Sequence, residues 1–145
     1  MAREFGRIIV PVDGSKVSKK AAKKAIFLGK ATGIEVEVVH VIEMLYLPSV
    51  FGDEIEIPYQ NVLELLKQQA NRILDDIARM AKKDGVNITK KILEGHPAEE
   101  IIKEARSKDL IIIGNKGMTA VERIFLGSVT ENVVHHATCP VMIVK

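Results

Sequence analysis

The strongest constraint in this chain is a repeated change of hydrophobic period. Short apolar runs occur at Arg7–Val12, Ile34–Ile42, Val86–Leu93, Asp109–Ile113 and Cys139–Val144. Between them, apolar residues recur every three or four positions, as at Val17, Ala21, Ala25 and Leu28. The same spacing runs through Val62, Leu63, Leu66, Ala70, Ile73, Ile77 and Met80. Runs of that length predict strands, and the wider spacing predicts helices. Shorter helices are expected from Pro97 to Arg106 and from Ser128 to about His136. Strand–helix alternation implies a parallel sheet with right-handed crossovers and helices on both faces. The expected fold is α/β: one open, doubly wound, five-stranded parallel sheet with four helices, forming a single domain over residues 1–145.

Turn chemistry marks the ends of these elements. Pro11 cannot donate a ladder hydrogen bond and belongs near the end of its strand. Asp13-Gly14-Ser15 reads as a turn, with Ser15 capping the first helix. Gly33 ends that helix, and Asp84-Gly85 closes the long one. Gly95-His96-Pro97-Ala98-Glu99 reads as a helix start, with Pro97 first in the helix and an acid in its first turn. His96 is a cap or turn residue there, within reach of a ligand if its loop faces one. Val86–Leu93 is the most polar run, so it is expected at a sheet edge. His40 reads as a half-buried strand residue, because no second histidine stands at a chelating spacing. Lys16, Lys19, Lys20, Lys23 and Lys24 form a solvated face, or else attract phosphates at long range. Glu43–Pro58 is irregular and reads either as a lid or as a loose crossover.

Composition narrows the partners. A formal net charge of +2 leaves no basic footprint for nucleic acid. The one cysteine, Cys139, cannot form an internal disulfide, which suits a reducing compartment and a packing role. The amino terminus lacks a signal-peptide pattern, and no run approaches the roughly 18 apolar residues that would span a bilayer. The expectation is a cytoplasmic protein.

The chemistry concentrates in Gly114–Ser128, GNKGMTAVERIFLGS. Gly114 and Gly117 follow the most apolar strand, and Gly127-Ser128 precedes a helix. Glycine permits positive φ and close approach to a ligand. Amides at such turns and at a helix start favour anions. Each glycine alone could serve an ordinary turn; together they suggest the two walls of a phosphate cradle. Ser128-Val129-Thr130-Glu131 also reads as a capping box. Lys116 would neutralise phosphate charge, or else lie in solvent. Asp13, at the end of the first strand, would accept from a ribose hydroxyl or an adenine amine, touch a phosphate-bound cation, or simply bond nearby amides. Neither a P-loop nor G-x-G-x-x-G is present.

Gly-x-x-Gly, nine residues, then Gly-Ser resembles the nucleotide-binding signature of ATP-binding universal stress proteins. Pro11–Ser15, His40–Ile42, Gly95-His96-Pro97, Asp109–Gly114 and Cys139–Val144 extend the resemblance over nearly the whole chain. It implies an adenine nucleotide alpha hydrolase-like sheet of order 3-2-1-4-5. It also implies a site with Pro11, Val12 and Asp13 beside the nucleoside and main-chain atoms near Val41 at the adenine. Gly114, Lys116, Gly117, Gly127, Ser128, Val129 and Thr130 are implied around the phosphates. The implied cofactor is ATP, or ADP or AMP, with Mg²⁺ or Mn²⁺; no side chain is implied to bind the metal directly, and Asp13 would meet it only through the phosphates. Lys116 stands where the family often has arginine, so the bidentate grip of a guanidinium is missing.

No dedicated general base is visible, and His135 and His136 lie far along the last helix. The first expectation is a nucleotide-dependent regulator or sensor in the stress response. A slow ATPase is the alternative, and a nucleotide-free interaction module acting on an unknown protein partner is a third. The nearly uncharged strand Val141–Val144 is expected at a sheet edge, where it would pair with its own copy in a symmetric homodimer.

Overall fold

The computed structural model describes residues 4–43, 59–118 and 125–145. Strand β1 (Arg7–Pro11) leads through the Asp13–Ser15 turn into α1 (Lys16–Thr32), and β2 (Glu35–Ile42) follows. Next come α2 (Tyr59–Lys83), β3 (Ile88–Glu94), α3 (Pro97–Glu104), β4 (Asp109–Gly114), α4 (Ser128–His136) and β5 (Val141–Val144). The strands form one five-stranded sheet of order β3-β2-β1-β4-β5, parallel at every pairing. This is the expected α/β fold, with β1 and β4 adjacent where the strand order reverses. The expectation for Glu43–Pro58 concerns residues 44–58, which lie outside those described.

Local chemistry explains the boundaries. Pro11 is the last residue of β1. Ser15 Oγ accepts the Ser18 amide at 3.1 Å and caps α1, while Gly33, with φ of 72°, ends it. Helix α3 stops at Glu104 rather than Arg106, because Asp109 Oδ2 accepts the Arg106 amide at 2.7 Å and turns the chain into β4. The more polar β3 sits at an edge, as expected.

Alternate residues of the central strands face opposite layers. Ile8, Val10, Val36, Val38, Leu110 and Ile112 pack with α1 and α2; Ile9, Val39, Ile111 and Ile113 pack with α3 and α4. Strand β4 is buried along its whole length, so its carboxyl end is held on both faces. At the amino ends of the strands, Arg7 reaches Glu37 at 2.6 Å and Asp109 at 2.8 Å. The Asp109 hydrogen bond leads in raising the Arg7 pKa, whereas burial pushes the Glu37 carboxyl up against the pull of Arg7. That buried charge cluster pins the end of the sheet remote from the glycine loop.

Candidate functional site

A cavity of about 630 Å³ opens beyond the carboxyl ends of β1, β2 and β4. Its position is the one at which open α/β sheets take ligands, where the strand order reverses. Pro11, Val12, Asp13, Val41, Gly114, Lys116, Gly117, Gly127, Ser128, Val129 and Thr130 all border it. Sheet packing therefore gathers residues from three separated stretches of the chain into one space.

Asp13 joins two of those stretches. Its Oδ1 accepts the Ser15 amide at 2.9 Å, and its Oδ2 accepts the Met118 amide at 3.1 Å. The turn before α1 is thereby fastened to the glycine loop. Glycine is needed beside this link for space rather than for backbone sign. Among the described residues, positive φ falls at Gly14, Gly33, Gly85 and Gly95, not in the loop. A Cβ on Gly117 would stand 2.8 Å from Asp13 Oδ2, and one on Gly114 would stand 2.8 Å from Val17 Cγ1. A Cβ on Gly127 would reach 3.1 Å from Lys116 Cα. Of the two freedoms glycine allows, close approach rather than positive φ is the one used: to side chains at Gly114 and Gly117 and to the Lys116 backbone at Gly127.

The capping-box expectation is also corrected. Gly127, with φ of −70° and ψ of 161°, is the residue that precedes α4, and Ser128 is the first helical residue. No side chain caps α4. The reason is the Gly127 amide, which donates to the Asn115 carbonyl at 2.7 Å and sets Gly127 itself at the helix entrance. The first amides of α4 lack intrahelical acceptors and border the cavity, the arrangement that attracts anions. Thr130 Oγ1 donates to the Gly114 carbonyl at 2.7 Å, so that hydroxyl clasps helix to strand.

The remaining walls are mostly apolar, with Ser18, Glu43 and Glu131 as polar exceptions. Val39, Pro97, Ile101 and Ile113 line the cavity alongside Val41 and Val129. His40 Nδ1 donates to the Val12 carbonyl at 2.7 Å, fixing its ring in the half-buried place expected of it. Pro97, Ile101 and His40 were not read as site residues. Their only signals in the sequence were the apolar run of β2 and the apolar side of α3, and neither separates core from cavity. His96 is the exposed cap of α3 and is not part of the lining, and neither are His135 and His136. Among the described residues, no group of three or more His, Cys, Asp or Glu is arranged to hold a metal ion.

The sheet order and the cleft at its reversal define a doubly wound α/β protein with a candidate ligand site beside a helix start. The model of the universal stress protein family matches residues 4–145, and the chain belongs to that family. It is 42% identical over 143 residues to universal stress protein MJ0531 of Methanocaldococcus jannaschii, covering 97% of this chain and 82% of that one. The solved structure of the hypothetical protein MJ0577 is similar at a TM-score of 0.83 and 31% identity, over 99% of this chain and 97% of that one. The universal stress protein from Archaeoglobus fulgidus in complex with dAMP shares the fold, with a TM-score of 0.66 at 22% identity over 99% of this chain and the whole of the other.

Proposed function

We propose that this chain binds an adenine nucleotide in the cavity and acts as a nucleotide-dependent regulator or sensor in the stress response of the cytoplasm. One observation carries the reading. The uncapped amino end of α4, the glycine loop and the Asp13 turn converge on a single apolar cleft. The apolar walls suit a flat base, and the amides of Ser128, Val129 and Thr130 suit phosphate oxygens. Lys116 adds positive charge at the same end. The dAMP complex of the Archaeoglobus fulgidus relative is consistent with that ligand class.

A divalent cation would arrive on the phosphates. Both Asp13 oxygens already accept main-chain amides, so this carboxylate serves first as a link between loops. The nucleotide-free scaffold reading loses ground because the helix start has no side-chain cap of its own. Homodimer formation through β5 belongs to the same proposal, since Met142 and Ile143 are 39% and 37% exposed on that edge strand.

Calorimetric titration with Mg-ATP is the test, with Gly127→Val as control. The wild-type chain is expected to bind at micromolar to millimolar ligand and the variant to lose that binding. Phosphate release measured in the same samples separates a sensor from a slow ATPase. Absence of heat, with no adenine nucleotide released on denaturing the pure protein, would overturn the reading.

A further inference from the structure

Asn115 lies inside the glycine signature without being one of its glycines. It is only 8% exposed, and three of its groups hold different neighbours. Its amide donates to the Val144 carbonyl at 2.8 Å, at the end of β5, and its carbonyl accepts the Gly127 amide at 2.7 Å. Its side-chain Nδ2 donates to the Phe125 carbonyl at 3.0 Å. Only the nitrogen of a side-chain amide can face a carbonyl oxygen productively, so this geometry fixes which way the amide points. Asn115 Oδ1 is consequently left buried with no partner.

An orphan acceptor is a local disadvantage that an apolar residue of similar size would avoid. Stability alone therefore does not account for asparagine at this place. What the side chain adds is a tether. Asn115 stands at the start of the loop, and Phe125 and Gly127 stand at its end. The Lys145 ammonium, just beyond β5, lies 4.4 Å from the centre of the Phe125 ring and braces the same end. Backbone spacing there has little slack, as the 3.1 Å separation between a Gly127 Cβ and Lys116 Cα indicates.

We propose that Asn115 is the positioning residue of the phosphate cradle: its Nδ2–Phe125 bond sets where the Gly127–Ser128 helix start stands relative to the Gly114–Gly117 turn. It thereby determines how much affinity the phosphates add beyond the nucleoside. The inference rests on the adenine nucleotide reading and adds a residue not included in it. Asn115 does not border the cavity and acts through the amides it places.

The experiment compares the full chain with Asn115→Ala and with Asn115→Leu, which keeps a similar size and no charge but cannot donate to the Phe125 carbonyl. Mg-ATP and adenosine are titrated separately by calorimetry. Both variants are expected to lose about tenfold in ATP affinity, the scale of one hydrogen bond lost, and to keep adenosine affinity within about twofold. In the nucleotide-free protein, amide exchange at Leu126 and Gly127 should quicken in both variants while Val10 and Ile111 keep their protection. Unchanged ATP affinity, a parallel loss for adenosine, or unchanged exchange at Gly127 would each overturn the proposal. A wild-type chain that binds neither ligand would instead bring down the nucleotide reading, and the phosphate role of Asn115 with it. The exchange measurement would still report on the tether. If Asn115→Ala does not fold, Asn115→Leu, of similar size, decides.

Discussion

Asp13 Oδ2 and the Met118 amide meet at 3.1 Å across a separation of 105 positions. The same carboxylate holds the Ser15 amide at 2.9 Å, so one side chain ties the end of β1 to the loop after β4. The crowding at Gly117 follows from this contact, because any Cβ there would occupy the space of Asp13 Oδ2. The turn after β1 and the glycine loop therefore form one connected unit.

Replacing Asp13 with asparagine should loosen that unit. One side-chain oxygen can still accept, but the new NH₂ must face an amide donor. The expected loss is about 1–3 kcal/mol of stability, read from the urea midpoint at constant slope, with weaker Mg-ATP binding. An unaltered midpoint would mean that the Met118 contact contributes little.

Alanine at Gly114 and at Gly117 should separate packing from site geometry. At Gly114 the new methyl meets Val17 Cγ1 at 2.8 Å and the Val17 carbonyl carbon at 3.3 Å, in a buried setting. Overpacking of this kind destabilises by about 1–3 kcal/mol. At Gly117 the obstacle is a carboxylate on an exposed loop, so thermal stability should change less while nucleotide affinity falls. Thermal melts and calorimetry on the two variants give the comparison, and equal melting losses would contradict it.

The β5 edge gives a test of assembly. Ile111 N donates to Pro140 O, and Asn115 N donates to Val144 O, so even-numbered residues of β5 serve the ladder with β4. Ile143 then directs its amide toward the open edge, where a second copy would pair. Ile143→Pro removes that donor and leaves the β4 ladder intact. Sedimentation is expected to give a dimer for the wild-type chain and a monomer for the variant; a dimeric variant would place the contact elsewhere.

Cys139 supplies the pH dependence. Burial first, and then the charge of Asp109, raise its thiol above the ordinary cysteine range. The folded chain keeps this proton at a pH where the unfolded chain has begun to lose it. Stability contributed by the thiol is therefore complete below the unfolded pKa and declines as pH rises through that value toward the folded one. At pH 8, alkylation of the native protein should be several-fold slower than in urea, since the thiolate is the reactive form. The stability difference between wild type and Cys139→Ala should shift in favour of the variant as pH climbs. Equal alkylation rates in both states would refute the shielding.

Much of this was legible in the sequence because it depends on near neighbours. The strand runs, the Ser15 cap, the Gly33 stop and the Pro97 helix start all follow from periodicity or from contacts within a few residues. Gly114–Ser128 stood out because its glycines interrupt a strand and a helix at spacings that core packing does not require. Some local readings still failed, beyond the early end of α3 at Glu104. Ser128 does not cap α4, because a hydrogen bond from Gly127 back to Asn115 takes the entrance position. The loop glycines answer crowding from Val17, Asp13 and Lys116, not a need for positive φ.

The sequence by itself determined the succession of strands and helices, their ends, and the chemistry carried by each turn, since these arise from interactions between residues close along the chain. Only the tertiary structure decided that Asp13 reaches Met118, that Asn115 holds Phe125, and that Pro97 and Ile101 wall the same cavity. Those contacts depend on crossovers burying both faces of the sheet, and the free energy that selects them comes from packing between segments whose separation along the chain carries no record of their distance in space.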